Sequence, residues 1–132
     1  MPASPARRAA FRVIRRVFEQ EAFADQALHA EADGLDPRER AFARQLAFGT
    51  VQRRRALDHV IDGLAKGKKL DPPIRAALRL GLFQLLFLDG VPPHAAVAES
   101  VELVKRSRGS GLVNAVLRRA TREGAELLAG AP

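Results

Sequence analysis

The chain of 132 residues contains no cysteine, no tryptophan and no tyrosine. Without cysteine there is no disulfide, no thiolate metal site and no cysteine nucleophile, a usage that fits a reducing compartment and a cytoplasmic location. Without tryptophan and tyrosine, only seven phenylalanines can stack on bases, and most fall on apolar stripes that read as core. Phosphate and shape contacts would then outweigh a stacking platform in any nucleic-acid binding. No apolar run reaches membrane-spanning length, since the longest, around Leu80 to Leu88, is broken by Gln84. The N-terminal arginines are not followed by an apolar run, so they do not form a secretory signal. The three histidines, His29, His59 and His94, are far apart, and none has a second ligand at metal spacing. No glycine-rich turn follows a strand, which removes dinucleotide and P-loop sites. With no acid, base, nucleophile and cofactor constellation to assemble, neither a cofactor nor catalysis by this chain alone is expected.

What the chain does have is positive charge. Its formal net charge is +7, and 18 of its 22 basic residues are arginine. Arginine grips phosphate bidentately and stacks on bases, so the balance leans toward nucleic acid rather than an acidic membrane. The charge comes in blocks. Residues 1–20 carry +4, residues 21–36 carry −5 with no base, residues 37–58 carry +4, and residues 105–124 carry +5. Three basic segments around an acidic one imply a directed face, if the fold brings them together.

The periodicity is helical throughout, and no stretch alternates long enough to be a strand. Ser4-Pro5 is a cap followed by proline at the first helical position. Ala10, Val13, Ile14, Val17 and Phe18 then share one stripe, opposite Arg8, Arg12, Arg15 and Arg16. A short helix over residues 24–32 precedes Gly34. Asp36-Pro37-Arg38-Glu39 reads as a capping box opening one long helix, with Phe42, Leu46, Phe48, Val51, Leu57, Val60, Ile61 and Leu64 as core contacts. Gly49 inside it costs roughly 1 kcal/mol of propensity, which points to close packing. Asp71-Pro72-Pro73 opens the most buried helix, in which Gln84 reads as a buried amide bonding between helices. Asp89-Gly90-Val91-Pro92 is a turn, Pro93 or His94 starts another helix, and the last helix carries LVNAVLRR before fading near Gly124. The expectation is an all-α, single-domain bundle of about six helices over residues 1–126, with residues 127–132 as a tail or linker. Asn114, inside that last apolar run, reads as a buried or half-buried amide tying the helix to its neighbours.

Three segments are candidates for anion contact. On the first helix Arg7, Arg8, Arg12, Arg15 and Arg16 span three turns, as a helix lying along a phosphate backbone would. The alternative is a solvated face with Glu19 as partner. Gly109-Ser110-Gly111 precedes a helix beside Lys105, Arg106 and Arg108, so its amides offer an anion site, and Arg118 and Arg119 extend that basic segment as further RNA-binding candidates; an ordinary interhelix turn is the alternative. Arg53-Arg54-Arg55 point in different directions around a helix, so one or two of them, joined by Arg44, can face one ligand.

Leu80-Gly81-Leu82-Phe83-Gln84-Leu85-Leu86, Val91-Pro92-Pro93-His94 through Val104-Lys105, and Gly111-Leu112-Val113-Asn114-Ala115-Val116-Leu117-Arg118-Arg119 resemble the NusB-like fold family. So do Arg40-Ala41-Phe42-Ala43, Gly49-Thr50-Val51 and Leu57-Asp58. One branch of that family comprises free transcription antitermination factors that bind nascent RNA with a small ribosomal protein. The other is the N-terminal domain of RsmB/Sun-type methyltransferases, which make 5-methylcytosine in small-subunit ribosomal RNA. The antitermination branch tends to read phenylalanine-valine-asparagine-glycine in its last helix and isoleucine-asparagine-glutamate in the one before. Leu112-Val113-Asn114-Ala115 and Val97-Ala98-Glu99 look more like the methyltransferase branch, as do Arg118 and Arg119. The resemblance implies an RNA-binding surface on the first helix, carried by position to Arg7, Arg8 and Arg12. It also implies that S-adenosylmethionine and catalytic cysteines belong to a separate C-terminal domain, in cis to this one. An RNA-binding module of a ribosomal RNA methyltransferase, a free antitermination factor and a protein-docking domain without RNA contact all remain open at this point.

Overall fold

The computed structural model describes residues 2–132. Seven helices account for most of them: α1 (Pro5–Gln20), α2 (Ala24–Glu31), α3 (Pro37–Gln52), α4 (Arg54–Ala65), α5 (Pro72–Phe87), α6 (Pro93–Leu103) and α7 (Ser110–Ala129). No strand occurs among the described residues, as the absence of period-two alternation predicts.

The seventh helix arises because the expected long helix from residue 37 to 64 is divided at Arg53. Its buried stripe runs through Ala43, Leu46, Ala47 and Thr50, then Leu57, Val60, Ile61 and Leu64. Continued unbroken, that stripe would bring position 53 or 54 into the core. Both are arginines, and both stay exposed. The chain breaks the helix there rather than bury a guanidinium without a partner. At the other end of the chain, α7 does not fade at Gly124. It continues to Ala129, with Leu127 and Leu128 packed on the core, so only residues 130–132 lie beyond the helix.

Helix α5 is the axis of the bundle. It buries residues from Ile74 to Gln84 on nearly all sides and touches α1, α3, α4, α6 and α7. Helices pack this closely where small residues let backbones approach. A Cβ at Gly49 of α3 would fall inside the Phe83 ring, and one at Gly81 would lie 2.7 Å from Leu117 Cδ1 of α7. Gly109 fills the same role at the start of α7, where a Cβ would sit 2.6 Å from Ile74 Cγ1.

The N-terminus of α1 is fixed by acids from two other helices. Ser4 Oγ accepts from the Arg7 amide at 3.2 Å, as the cap predicts. Asp36 likewise caps α3, accepting from the Glu39 amide at 2.8 Å. The capping box is half formed, however. Glu39 does not reach back to Asp36; its carboxylate accepts instead from the Ala6 amide at 3.0 Å. Glu99 of α6 accepts from the Ser4 amide at 2.7 Å. Two carboxylates thus sit at the positive end of α1, where its dipole favours them.

Beneath that cap lies Arg7, 7% exposed. Its Nε donates to Gln84 Oε1 at 2.7 Å, its Nη1 donates to Glu99 Oε2 at 2.8 Å, and its guanidinium lies 5.3 Å from the Phe42 ring centroid. Gln84, 1% exposed, also donates to Leu80 O of its own helix at 3.0 Å, which makes it the interhelix amide expected from the sequence. Asn114 is not such an amide. It sits at the edge of the buried stripe of Val113, Val116, Leu117 and Ala120, half-buried, and its Oδ1 accepts from Arg118 Nε at 3.1 Å within α7.

Three stability measurements follow from this packing. Gly49→Ala lowers unfolding free energy by about 1–3 kcal/mol despite its better helix propensity, because the Phe83 ring must move. Arg7→Ala strands the Gln84 amide and the Glu99 carboxylate in a largely dry junction and costs about 3 kcal/mol. Asn114→Leu stays within about 0.5 kcal/mol of the parent, since it removes only an exposed contact inside one helix. Urea titration followed by helical circular dichroism checks all three.

Candidate nucleic-acid interface

The arginine-rich face of α1 separates into residues held by partners and residues left free. Arg7 is not on the surface at all: it is the buried centre of the α1–α5–α6 junction, which removes it from the set expected to touch RNA. A helical wheel places it beside Arg8, but only the fold supplies Glu99 and Gln84. Arg15 makes a bidentate pair with Glu19 at 2.7 and 3.0 Å and lies 5.9 Å from the Phe11 ring centroid. Donating those hydrogen bonds to Glu19 raises the already high pKa of Arg15 further. Arg16 pairs with Glu31 of α2 at 3.4 Å. Arg8 and Arg12 are exposed and form no ion pair among the described residues. Arg8 donates only to Ala3 O, at 2.6 Å, a bond that costs none of its charge.

A cleft of about 310 Å³ opens between these residues and the end of α6. Arg8, Phe11, Arg12 and Arg15 form one wall, and Glu102 and Leu103 form the other. Lys105 follows one turn later and binds Glu102 at 2.7 Å. That hydrogen bond draws the Glu102 carboxyl below its ordinary pKa, so Lys105 sits beside a carboxylate, unlike Arg8 and Arg12. Arg106 and Arg108, in the turn between α6 and α7, are exposed and form no ion pair among the described residues. The fold therefore brings Arg8 and Arg12 of the first basic segment against the end of α6, a few residues before the exposed Arg106 and Arg108 of the last one.

The Gly109-Ser110-Gly111 turn is mostly occupied with its own geometry. Ser110 is half-buried, and its amide donates to Ser107 O at 3.2 Å. Gly109 is set against Ile74. The start of α7 has no side-chain cap, so its next amides keep their donors open.

Arg118 and Arg119 lie apart from the α1 cleft, for α1 and α7 make no direct contact among the described residues. Arg118 is held by Asn114. Arg119 turns to the α4–α7 seam, where it binds Glu123 at 3.0 Å and Leu64 O at 3.3 Å. The Arg119 hydrogen bond holds the Glu123 carboxyl below its usual range, so that pair too is closed near neutral pH.

The phenylalanines depart most from the sequence expectation. Phe23 is 71% exposed. Five others carry a guanidinium over the ring: Arg7 on Phe42, Arg15 on Phe11, Arg44 on Phe48, Arg53 on Phe87 and Arg79 on Phe18. Arg15–Phe11 and Arg44–Phe48 are i,i+4 neighbours on one helix face, which the spacing allows; the other three join different helices, and the apolar stripes give no warning of those. Among the described residues no group of histidine, aspartate and glutamate gathers at metal-binding distance, and no helix is long and apolar enough to cross a membrane.

Comparison with known proteins gives these features a family. The NusB family model matches residues 4–122. The chain is 41% identical over 129 residues to ribosomal RNA small subunit methyltransferase B of Pseudomonas putida, covering 94% of this chain and 29% of that protein. It is 45% identical over 93 residues to the Thermus thermophilus protein of the same name, covering 67% of this chain and 23% of the relative. It thus spans less than a third of the length of the curated relatives it matches. Among solved structures, Thermotoga maritima NusB superposes with a TM-score of 0.77 at 26% identity, covering 93% of this chain and 94% of that one. A chain from a crystal structure of a plectonemic RNA supercoil superposes with a TM-score of 0.81 at 26% identity, covering 87% and 90%. With the seven-helix bundle, the family match over almost its whole length and relatives above 40% identity, this chain belongs to the NusB family.

Proposed function

We propose that this chain is the RNA-binding, non-catalytic N-terminal module of a small-subunit ribosomal RNA cytosine-5 methyltransferase, working in the cytoplasm. The observation that carries the reading is the exposed, unpaired Arg8 and Arg12 lining the α1–α6 cleft, with the exposed, unpaired Arg106 and Arg108 in the turn that follows α6. Unpaired guanidiniums at two separate elements suit a phosphate backbone, whose released counterions supply the affinity. Arg15, Arg16, Lys105, Arg118 and Arg119 contribute at most through the surrounding potential, and Ser110 through the open start of α7. The module has no cysteine to attack a pyrimidine ring. Its role in the longer protein is to position ribosomal RNA for a methyltransferase domain in cis.

A second reading, a free antitermination-type factor binding nascent RNA with a small ribosomal protein, draws support from the likeness to Thermotoga maritima NusB. The relatives of higher identity are methyltransferases, which favours the first. A docking domain that never touches RNA is the third reading.

Filter binding of a single-stranded ribosomal RNA fragment separates them. Arg8→Ala with Arg12→Ala weakens binding about tenfold near 0.1 M salt and lowers the slope of log affinity against log salt by about 1.4. Unchanged binding by that variant removes α1 from the interface. No retention of RNA by the parent chain supports the docking domain, and binding that needs an added ribosomal protein supports the free factor.

A further inference from the structure

The groove between α3 and the end of α5 lies outside the α1–α6 cleft and holds about 460 Å³. Two guanidiniums are plated on its aromatic floor. Arg44 lies 4.6 Å from the Phe48 ring centroid, and Arg53 lies 4.3 Å from that of Phe87. Phe87 stacks in turn on Phe83, with centroids 6.0 Å apart and planes inclined by 22°. Neither arginine has an ion-pair or hydrogen-bonded side-chain partner among the described residues, so their N–H edges are open. Arg54 and Arg55, also exposed, continue the charge beyond Arg53.

Its walls set this groove apart. The clefts beside Arg12, Arg40 and Arg75 all carry carboxylates: Glu102, Asp25 with Asp33, and Glu19 respectively. The α3–α5 groove has none; its polar lining is Arg44, Arg53, Gln45 and Gln52. A ligand here meets uncompensated positive charge, flat stacked surfaces and two exposed amides. Arg44 and Arg53 are nine residues apart, about 13 Å along a helix, so they suit an extended ligand rather than a single small anion.

We propose that the α3–α5 groove is a second contact for single-stranded RNA, with phosphates at Arg44 and Arg53 and bases laid against the Arg–Phe plates. The inference rests on the RNA-binding reading above and extends it to another face. A guanidinium stacked on a ring keeps one face for a base and its edges for phosphate. The amides of Gln45 and Gln52 can bond base edges. An acidic peptide shares the charge but gains little from flat stacked plates, which is why RNA is favoured.

The test is fluorescence anisotropy of a labelled uridine 20-mer against the 132-residue chain, titrated at several salt concentrations. Arg44→Gln with Arg53→Gln is expected to weaken binding roughly tenfold and to lower the salt slope by about 1.4. Lys68→Gln with Lys69→Gln, which removes the same charge from the α4–α5 loop, is expected to change affinity less than about twofold. Phe48→Leu keeps every charge and removes one plate; a loss of about threefold is expected, because stacking and not charge alone holds the base. Equal losses for the arginine and lysine pairs would reduce the groove to net charge and overturn the inference. So would full RNA binding by the groove variant, above all if that variant loses affinity for a glutamate–phenylalanine peptide, which would assign the groove to a protein partner. If Arg8→Ala with Arg12→Ala weakens RNA binding while the groove pair does not, this inference fails alone. If the parent chain binds no RNA, the underlying reading fails with it.

Discussion

The Arg7 guanidinium holds three helices at one point, and the candidate interface depends on how it does so. Its carboxylate partner, Glu99 of α6, uses one oxygen for Arg7 and the other for the Ser4 amide at the start of α1. Its amide partner, Gln84, belongs to α5, the axis of the bundle. A buried ion pair of this kind adds little net stability over an apolar replacement. What it supplies is geometry. Glu99 has one place to sit, so α1 has one rotation about its own axis. With Arg7 turned inward, the exposed face of α1 is fixed as the face that carries Arg8 and Arg12.

Charge pairing then divides the remaining arginines into two groups. Arg15, Arg16, Arg75, Arg79 and Arg119 are closed by carboxylates. Arg8, Arg12, Arg38, Arg40, Arg44, Arg53, Arg54, Arg55, Arg106, Arg108, Arg118 and Arg122 have no such partner among the described residues. An exposed pair contributes little to stability, but it does screen the potential an anion would feel. The net charge of +7 is therefore not spread evenly over the surface a polyanion meets. The α3–α5 groove carries no carboxylate in its walls, while in the α1–α6 cleft Glu102 is already paired with Lys105 and leaves Arg8 and Arg12 open.

Much of the fold was legible in the sequence because helices are local. The caps at Ser4 and Asp36, the prolines at helix starts and the apolar stripes of α1, α5 and α6 lie where three-to-four-residue periodicity puts them. Gly49 announced close packing, though not that Phe83 would be the neighbour. The break at Arg53 was harder to see, since the apolar stripe continues on both sides of it with the same period. Asn114 misled for the opposite reason. Its position at the margin of a stripe reads the same whether the side chain faces a neighbouring helix or Arg118 one turn on, and the latter holds.

The amino-acid sequence alone determined an all-helical chain, a single core built around the helix from Pro72, a strongly basic character and a resemblance to the NusB-like family. These depend on composition and short-range pattern. The pairs Arg15–Glu19 and Arg119–Glu123 are four residues apart and local, but which of the other arginines are free was decided by the tertiary structure. Arg7 finds its partners 77 and 92 residues away, and Arg53 lies over a ring contributed by α5. Counterions and ring faces come from wherever the chain folds back, and a periodicity of a few residues carries no information about distances of that kind.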